Sequence, residues 1–115
     1  MLNLILSFLK SKCMQRKSIP IDLLQSPKSE LDFAKRSIVD FYKYVAEIKS
    51  SPSSMEPISV YPLSSGKFYI SDGVHRAKAA QLAGLDYVEA FVFTDSKPMG
   101  ASFPLTEVHI PIVRK

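Results

Sequence analysis

One stretch constrains the chain more than any other: Lys67-Phe68-Tyr69-Ile70-Ser71-Asp72-Gly73-Val74-His75-Arg76-Ala77-Lys78-Ala79-Ala80-Gln81-Leu82-Ala83-Gly84. Its first residues are aromatic and β-branched, as strands prefer, and its last are alanine-rich helix formers. Only Ser71-Asp72-Gly73 separates the two, so a strand must turn straight into a helix, with Asp72 read as the N-cap and Gly73 as the first helical residue. Gly84 then supplies a left-handed stop, and Tyr87-Val88-Glu89-Ala90-Phe91-Val92-Phe93 returns as a strand. A strand, a short helix and a second strand commit the chain to a sheet with a helix laid on it.

The remaining segments fit around that unit. Ile19-Pro20-Ile21-Asp22-Leu23-Leu24 reads as a short opening strand. From about Pro27 to Ile48, the residues Leu31, Ala34, Ile38, Phe41, Tyr42, Val45 and Ile48 recur at three- and four-residue spacings, which predicts one long helix. Either Ser26 before Pro27 or Ser29 before Asp32 would open it. Lys49 to Pro57 has turn composition, and Pro57 to Tyr61 with Lys67 to Ile70 predicts a hairpin with a longer loop. Tyr87 to Phe93, apolar on much of both faces, is expected inside the sheet. A last strand is expected at Thr106 to Ile110.

The fold class is therefore α/β in the α+β sense: a small mixed sheet with helices packed on it. A length of 115 residues with 46% hydrophobic content supports one folded domain and one modest core. Residues 18–93 form that domain, residues 1–17 an apolar and basic extension, and residues 94–115 a C-terminal extension.

The formal charge of +4 is mild, and the cluster Lys10, Lys12, Arg16 and Lys17 lacks the interleaved aromatics of a nucleic-acid groove. Cys13 is the only cysteine, which excludes an intrachain disulfide framework and a cysteine-rich metal site, and fits a reducing, cytoplasmic compartment. The run from Met1 to Leu9 is nearly all apolar but far shorter than the ~20 residues that span a bilayer. The basic residues follow the run, opposite to a secretory signal. It reads as an amphipathic or partner-docking helix, through which copies of the chain would also associate, with interfacial membrane attachment as the other reading.

Chemistry concentrates where the strand meets the helix. Backbone N–H groups in a first helical turn have no intrahelical acceptors and sit at the positive end of the helix dipole, so an anion is favoured there. Gly73 allows a ligand close to the backbone, and Arg76 adds a planar fork of donors suited to phosphate. Structural roles exist for each: Asp72 as a cap, Gly73 as a sharp turn, Arg76 in a surface ion pair, His75 as a core-edge ring hydrogen-bonded to backbone.

These residues carry a resemblance. Pro57-Ile58-Ser59-Val60 followed by Gly66 to Leu85, with Asp-Gly-Val-His-Arg at its centre, resembles the ParB/sulfiredoxin-like superfamily, and Ile19 to Leu24 is similar to its opening strand. The resemblance covers about Ser18 to Phe93 and implies that Gly73, Val74, His75 and Arg76 contact nucleotide phosphates, with Asp72 on metal or ribose. It further implies a nucleoside triphosphate or diphosphate such as ATP or CTP as ligand, with Mg2+.

Activities in that superfamily differ, and the chain departs from several. Sulfiredoxin carries a cysteine immediately before its His-Arg pair, where this chain has Val74, so reductase chemistry is not expected. The serine-kinase members place a carboxylate base after the first strand, where Leu24-Gln25-Ser26-Pro27 offers none; Glu30 is the nearest candidate, and His75 is the other candidate catalytic group. The leading expectation is a nucleotide-binding domain, with hydrolysis or phosphoryl transfer open. A small DNA-binding protein or nuclease and a non-enzymatic interaction module are the alternatives.

Overall fold

The structure is a computed structural model describing residues 14–33, 37–94 and 100–111. Among the described residues eight regular elements follow one another: β1 (Met14–Pro20), β2 (Leu24–Ser26), α1 (Ile38–Ser50), β3 (Ile58–Pro62), β4 (Phe68–Asp72), α2 (Val74–Leu82), β5 (Tyr87–Phe93) and β6 (Phe103–Pro104). Single 3-10 turns lie between β1 and β2 at Ile21–Leu23, between α1 and β3 at Pro52–Ser54, and after β6 at Leu105–Glu107. The sheet is mixed, in the order β1-β5-β3-β4-β2-β6. Strands β5 with β3 and β4 with β2 are parallel pairs, and the other neighbours are antiparallel. The expected α+β class is the observed one.

Alternation along the strands decides which face the helices cover. In β5, Val88, Ala90 and Val92 are buried, and they join Ile58, Val60 and Ile70 of the central strands in one core. Helix α1 contributes Phe41 and Ile48, and α2 contributes Ala77, Ala79 and Ala80, all without solvent exposure. The small residues let α2 lie close to the sheet, while the two large ones anchor α1 above it. Tyr87, Glu89, Phe91 and Phe93 alternate onto the opposite face, so β5 is interior in strand order but buried on one side only.

Several local expectations change in three dimensions. The opening strand is displaced: β1 runs seven residues from Met14 along β5, and Ile19 to Leu24 spans its end, a 3-10 turn and the start of β2. The long helix from Pro27 is in fact α1 alone, which starts at Ile38 because Ser37 caps it by accepting the Asp40 N–H at 3.0 Å. Upstream, the Ser26 hydroxyl instead closes a turn onto Lys28, and Glu30 and Leu31 pair with His109. That pairing extends the chain over Ser29 to Leu31 and removes it from the helix. Tyr42, assigned to the apolar face, is 49% exposed. Ala34 lies outside the described residues, as do Cys13 and residues 1–9.

The C-terminal segment also pairs differently. Its strand is β6, antiparallel to β2, while Thr106 lies in a 3-10 turn and His109 forms the isolated bridge. Lys78 of α2 ties this segment down: its Nζ donates to the Gln81 side chain at 2.7 Å and to the Leu105 carbonyl at 3.1 Å. Burial lowers the Lys78 pKa below 10.5, since desolvation disfavours the ammonium. The predicted hairpin of β3 and β4, the helix ending at Gly84 and strand β5 stand where the sequence put them.

Candidate functional site

Strands β2 and β4 run parallel, and the chain leaving their carboxyl ends builds two adjoining depressions. Ligands favour such carboxyl ends in open sheets, because the following loops and helix starts converge there. The larger depression, about 740 Å³, is lined on one side by Asp72, Gly73, Val74, His75 and Arg76. Its other wall is the α1 stripe Asp40, Lys43, Tyr44 and Glu47, closed off by Ser54 and Glu56. The smaller one, about 200 Å³, shares Asp72 to His75 and adds the loop after β2.

A bulge aims the motif. Val60 pairs with Ile70 and Ser59 with Asp72, so β4 carries one extra residue, and the Ser71 hydroxyl donates to the Ser59 carbonyl at 3.2 Å. The bend brings Asp72 to the strand end as its last residue. Gly73, not Asp72, is therefore the N-cap of α2, with φ of 105°, and no side chain among the described residues caps the helix. A Cβ on Gly73 would sit 2.6 Å from the Ile58 side chain and 3.0 Å from Arg76 Nη2. Both the left-handed backbone and the packing require glycine here. The first intrahelical bond is Ala77 N–H to the Gly73 carbonyl, which leaves the amides of the preceding turn without helical acceptors.

Arg76 sits between two carboxylates, with Nη2 3.2 Å from Asp72 and Nη1 3.4 Å from Glu56. The Asp72 and Glu56 side chains are 79% and 82% exposed, so these pairs contribute about 0–1 kcal/mol each and hold Arg76 only loosely. Asp72 thus acts on Arg76 rather than on the helix amides. His75 is held more firmly: Nε2 donates to the Asp32 carbonyl at 2.7 Å, and its ring stands edge-on to Phe33 at 5.4 Å and Phe41 at 6.4 Å. That hydrogen bond occupies Nε2 and orients the ring. The sequence alternative of a core-edge histidine bonded to backbone describes this ring.

Val74 is half-buried and packs on the core. Glu30 is exposed, in the bridge to His109, and lines neither depression. The structure therefore brings together Asp72, Gly73, Val74, His75 and Arg76 and leaves Glu30 apart. Sequence reasoning missed Glu56 and the α1 wall, although Asp40, Lys43, Tyr44 and Glu47 carry a signal of their own: a polar stripe at i, i+3, i+4 and i+7.

The sequence matches the ParB N-terminal domain family over residues 9–107. The chain belongs to that family. Among solved structures, this ParB N-terminal domain is similar to the C-terminally truncated chromosome-partitioning protein ParB from Caulobacter crescentus complexed with CTP-gamma-S, at 28% identity and a TM-score of 0.56 over 72% of this chain and 46% of that one. The same partitioning protein complexed to the centromeric parS site is 26% identical, with a TM-score of 0.55 over 70% of this chain and 42% of that one. Sulfiredoxin from Arabidopsis thaliana shares the fold at 20% identity, with a TM-score of 0.53 over 70% of this chain and 85% of that one. The chain thus spans less than half of the partitioning protein. No curated protein matches it.

Proposed function

We propose that this ParB N-terminal domain binds a nucleoside triphosphate or diphosphate, with the phosphates on the first turn of α2. The observation that carries this reading is the pairing of an uncapped helix start with Arg76 and the amides of Val74, His75 and Arg76 beside a cavity of about 740 Å³. Positive φ at Gly73 lets β4 deliver that turn to the cavity, and Arg76 adds charge-assisted donors. The CTP-gamma-S complex of the partitioning relative supports a nucleotide as the anion.

The charge around the cavity bears on the metal. Asp40, Glu47, Glu56 and Asp72 are acidic, against Lys43 and Arg76. A polyphosphate would meet this excess of carboxylate unless a divalent cation arrived with it. No cluster of three or more metal-ligating side chains exists among the described residues. The donor set therefore fits an Mg2+ carried on the phosphates and shared with Asp72, rather than a preassembled metal centre. Such an ion would supply charge neutralisation. Arg76, released from its weak carboxylate pairs, grips phosphate; His75 keeps the turn in place through Asp32, Phe33 and Phe41.

The reading commits to binding and leaves turnover aside: His75 engages the Asp32 carbonyl through Nε2, and Glu30 lines neither depression. DNA binding, seen in the parS complex of the relative, is the second reading, but on β1 the Arg16 guanidinium is already paired with Glu89 at 3.2 Å. A cytoplasmic setting belongs to the proposal and accords with the single cysteine. Calorimetric titration of CTP, ATP, GTP and ADP with Mg2+ tests it. Arg76→Ala should lose about 1.5–3 kcal/mol of binding, roughly 10- to 150-fold in Kd, without unfolding. Absence of heat with every nucleotide, alongside salt-dependent DNA affinity, would replace this reading with the second one.

A further inference from the structure

The sheet face away from the helices carries apolar groups that the nucleotide site does not use. By alternation, Met14 of β1, Phe91 and Phe93 of β5 and Tyr61 of β3 all point to this side. Met14 pairs directly with Phe93, and the Phe93 and Tyr61 rings lie 6.0 Å apart. Arg16, paired with Phe91 in the register, places its guanidinium 5.9 Å from the Phe91 ring centroid and bonds Glu89 at the rim. All four apolar side chains are only half-buried, so the patch keeps part of its apolar surface in water.

Residues 1–9, Met-Leu-Asn-Leu-Ile-Leu-Ser-Phe-Leu, are the most apolar run of the chain and lead through four residues into β1 at Met14, on the patch itself. We propose that this segment folds back and docks on the open sheet face over Tyr61, Phe91 and Phe93 of its own chain. Geometry permits it: β1, β5 and β3 are successive strands, so Tyr61 lies about two strand spacings, ~10 Å, from Met14. The link from Leu9 to Met14 reaches ~17 Å when extended.

Chemical character selects this occupant. A nucleic-acid strand would use the aromatic rings but needs cations along its backbone. Arg16 is the one cation that the register places on this face among the described strand residues, and Glu89 already neutralises it. An uncharged apolar segment instead matches an apolar centre whose one charged pair, Arg16 with Glu89, is already closed at the rim. Tethering raises the effective concentration of the segment over a separate partner.

The test places a nitroxide at Asn3→Cys in a Cys13→Ser background and records amide signals of the full chain at low concentration. Docking within the chain predicts that Tyr61, Phe91 and Phe93 lose most of their intensity while Ala46, on the helix side, keeps it. Leu4→Asp with Phe8→Asp should restore the lost signals without changing the remaining spectrum. Unchanged intensities at Tyr61 and Phe91 would overturn the proposal. So would broadening seen only when spin-labelled and isotope-labelled copies are mixed, which means docking between chains, or only when anionic phospholipid vesicles are added.

Discussion

The two helices begin in opposite ways. Helix α1 is closed at its start: Ser37 accepts the Asp40 amide, and Asp40 puts a carboxylate in the first turn against the positive end of the dipole. Helix α2 begins at left-handed Gly73 with no side-chain cap and no acidic residue in its first turn, where His75 and Arg76 stand instead. One helix start is satisfied from within the chain; the other has no side-chain cap among the described residues and faces a cavity. The difference is one of support against presentation: α1 closes its own start, and under the proposed function an external anion would complete the start of α2 as Ser37 and Asp40 complete that of α1.

The comparison breaks most severely at the support. Phe41 is fully buried against the sheet and touches the Phe33 and His75 rings, so Phe41→Ala should cost ~3–5 kcal/mol in denaturant unfolding, with nucleotide affinity lost as well because His75 loses its backing. At the presenting start, Gly73→Ala places a Cβ against Ile58 and forces a positive φ on alanine. A loss of at least about 1–3 kcal/mol is expected there, read as a lower midpoint at unchanged slope. Ser37→Ala should cost only about 1 kcal/mol and leave nucleotide binding nearly unchanged, which separates the two starts in one pair of variants.

The smallest effect concerns Lys78, which fastens the C-terminal segment to α2. Its pKa is lowered in the folded state, so between that lowered value and 10.5 the unfolded chain binds more protons than the native one. Stability contributed by Lys78 therefore rises with pH across that window. Subtracting the pH profile of Lys78→Met, measured by chemical unfolding from pH 8 upward, should leave a positive slope; a flat or negative difference would contradict the buried ammonium.

Legibility followed the range of the interactions. Strands β3, β4 and β5, helix α2 and its Gly84 stop were readable because residues near in sequence determine them: aromatic and β-branched runs, alanines and a glycine. Residues Ser29 to Leu31 carried helical spacing, yet their backbone pairs with His109, a partner far along the chain. In the candidate site, the Asp-Gly-Val-His-Arg core was legible as a motif, while Glu56 and the α1 wall were not, because their role depends on where α1 comes to rest.

The sequence by itself determined an α+β domain of the ParB N-terminal family and the residues at its strand-to-helix junction, since local propensity and a short motif need only neighbouring residues. Tertiary structure alone decided that Asp72 pairs with Arg76 instead of capping α2, that His75 is held through the Asp32 carbonyl and two phenylalanines, and that Glu30 stands apart. The physical reason is that a side chain's role is fixed by which hydrogen-bond and packing partners reach it, and the partner of His75 lies 43 residues away.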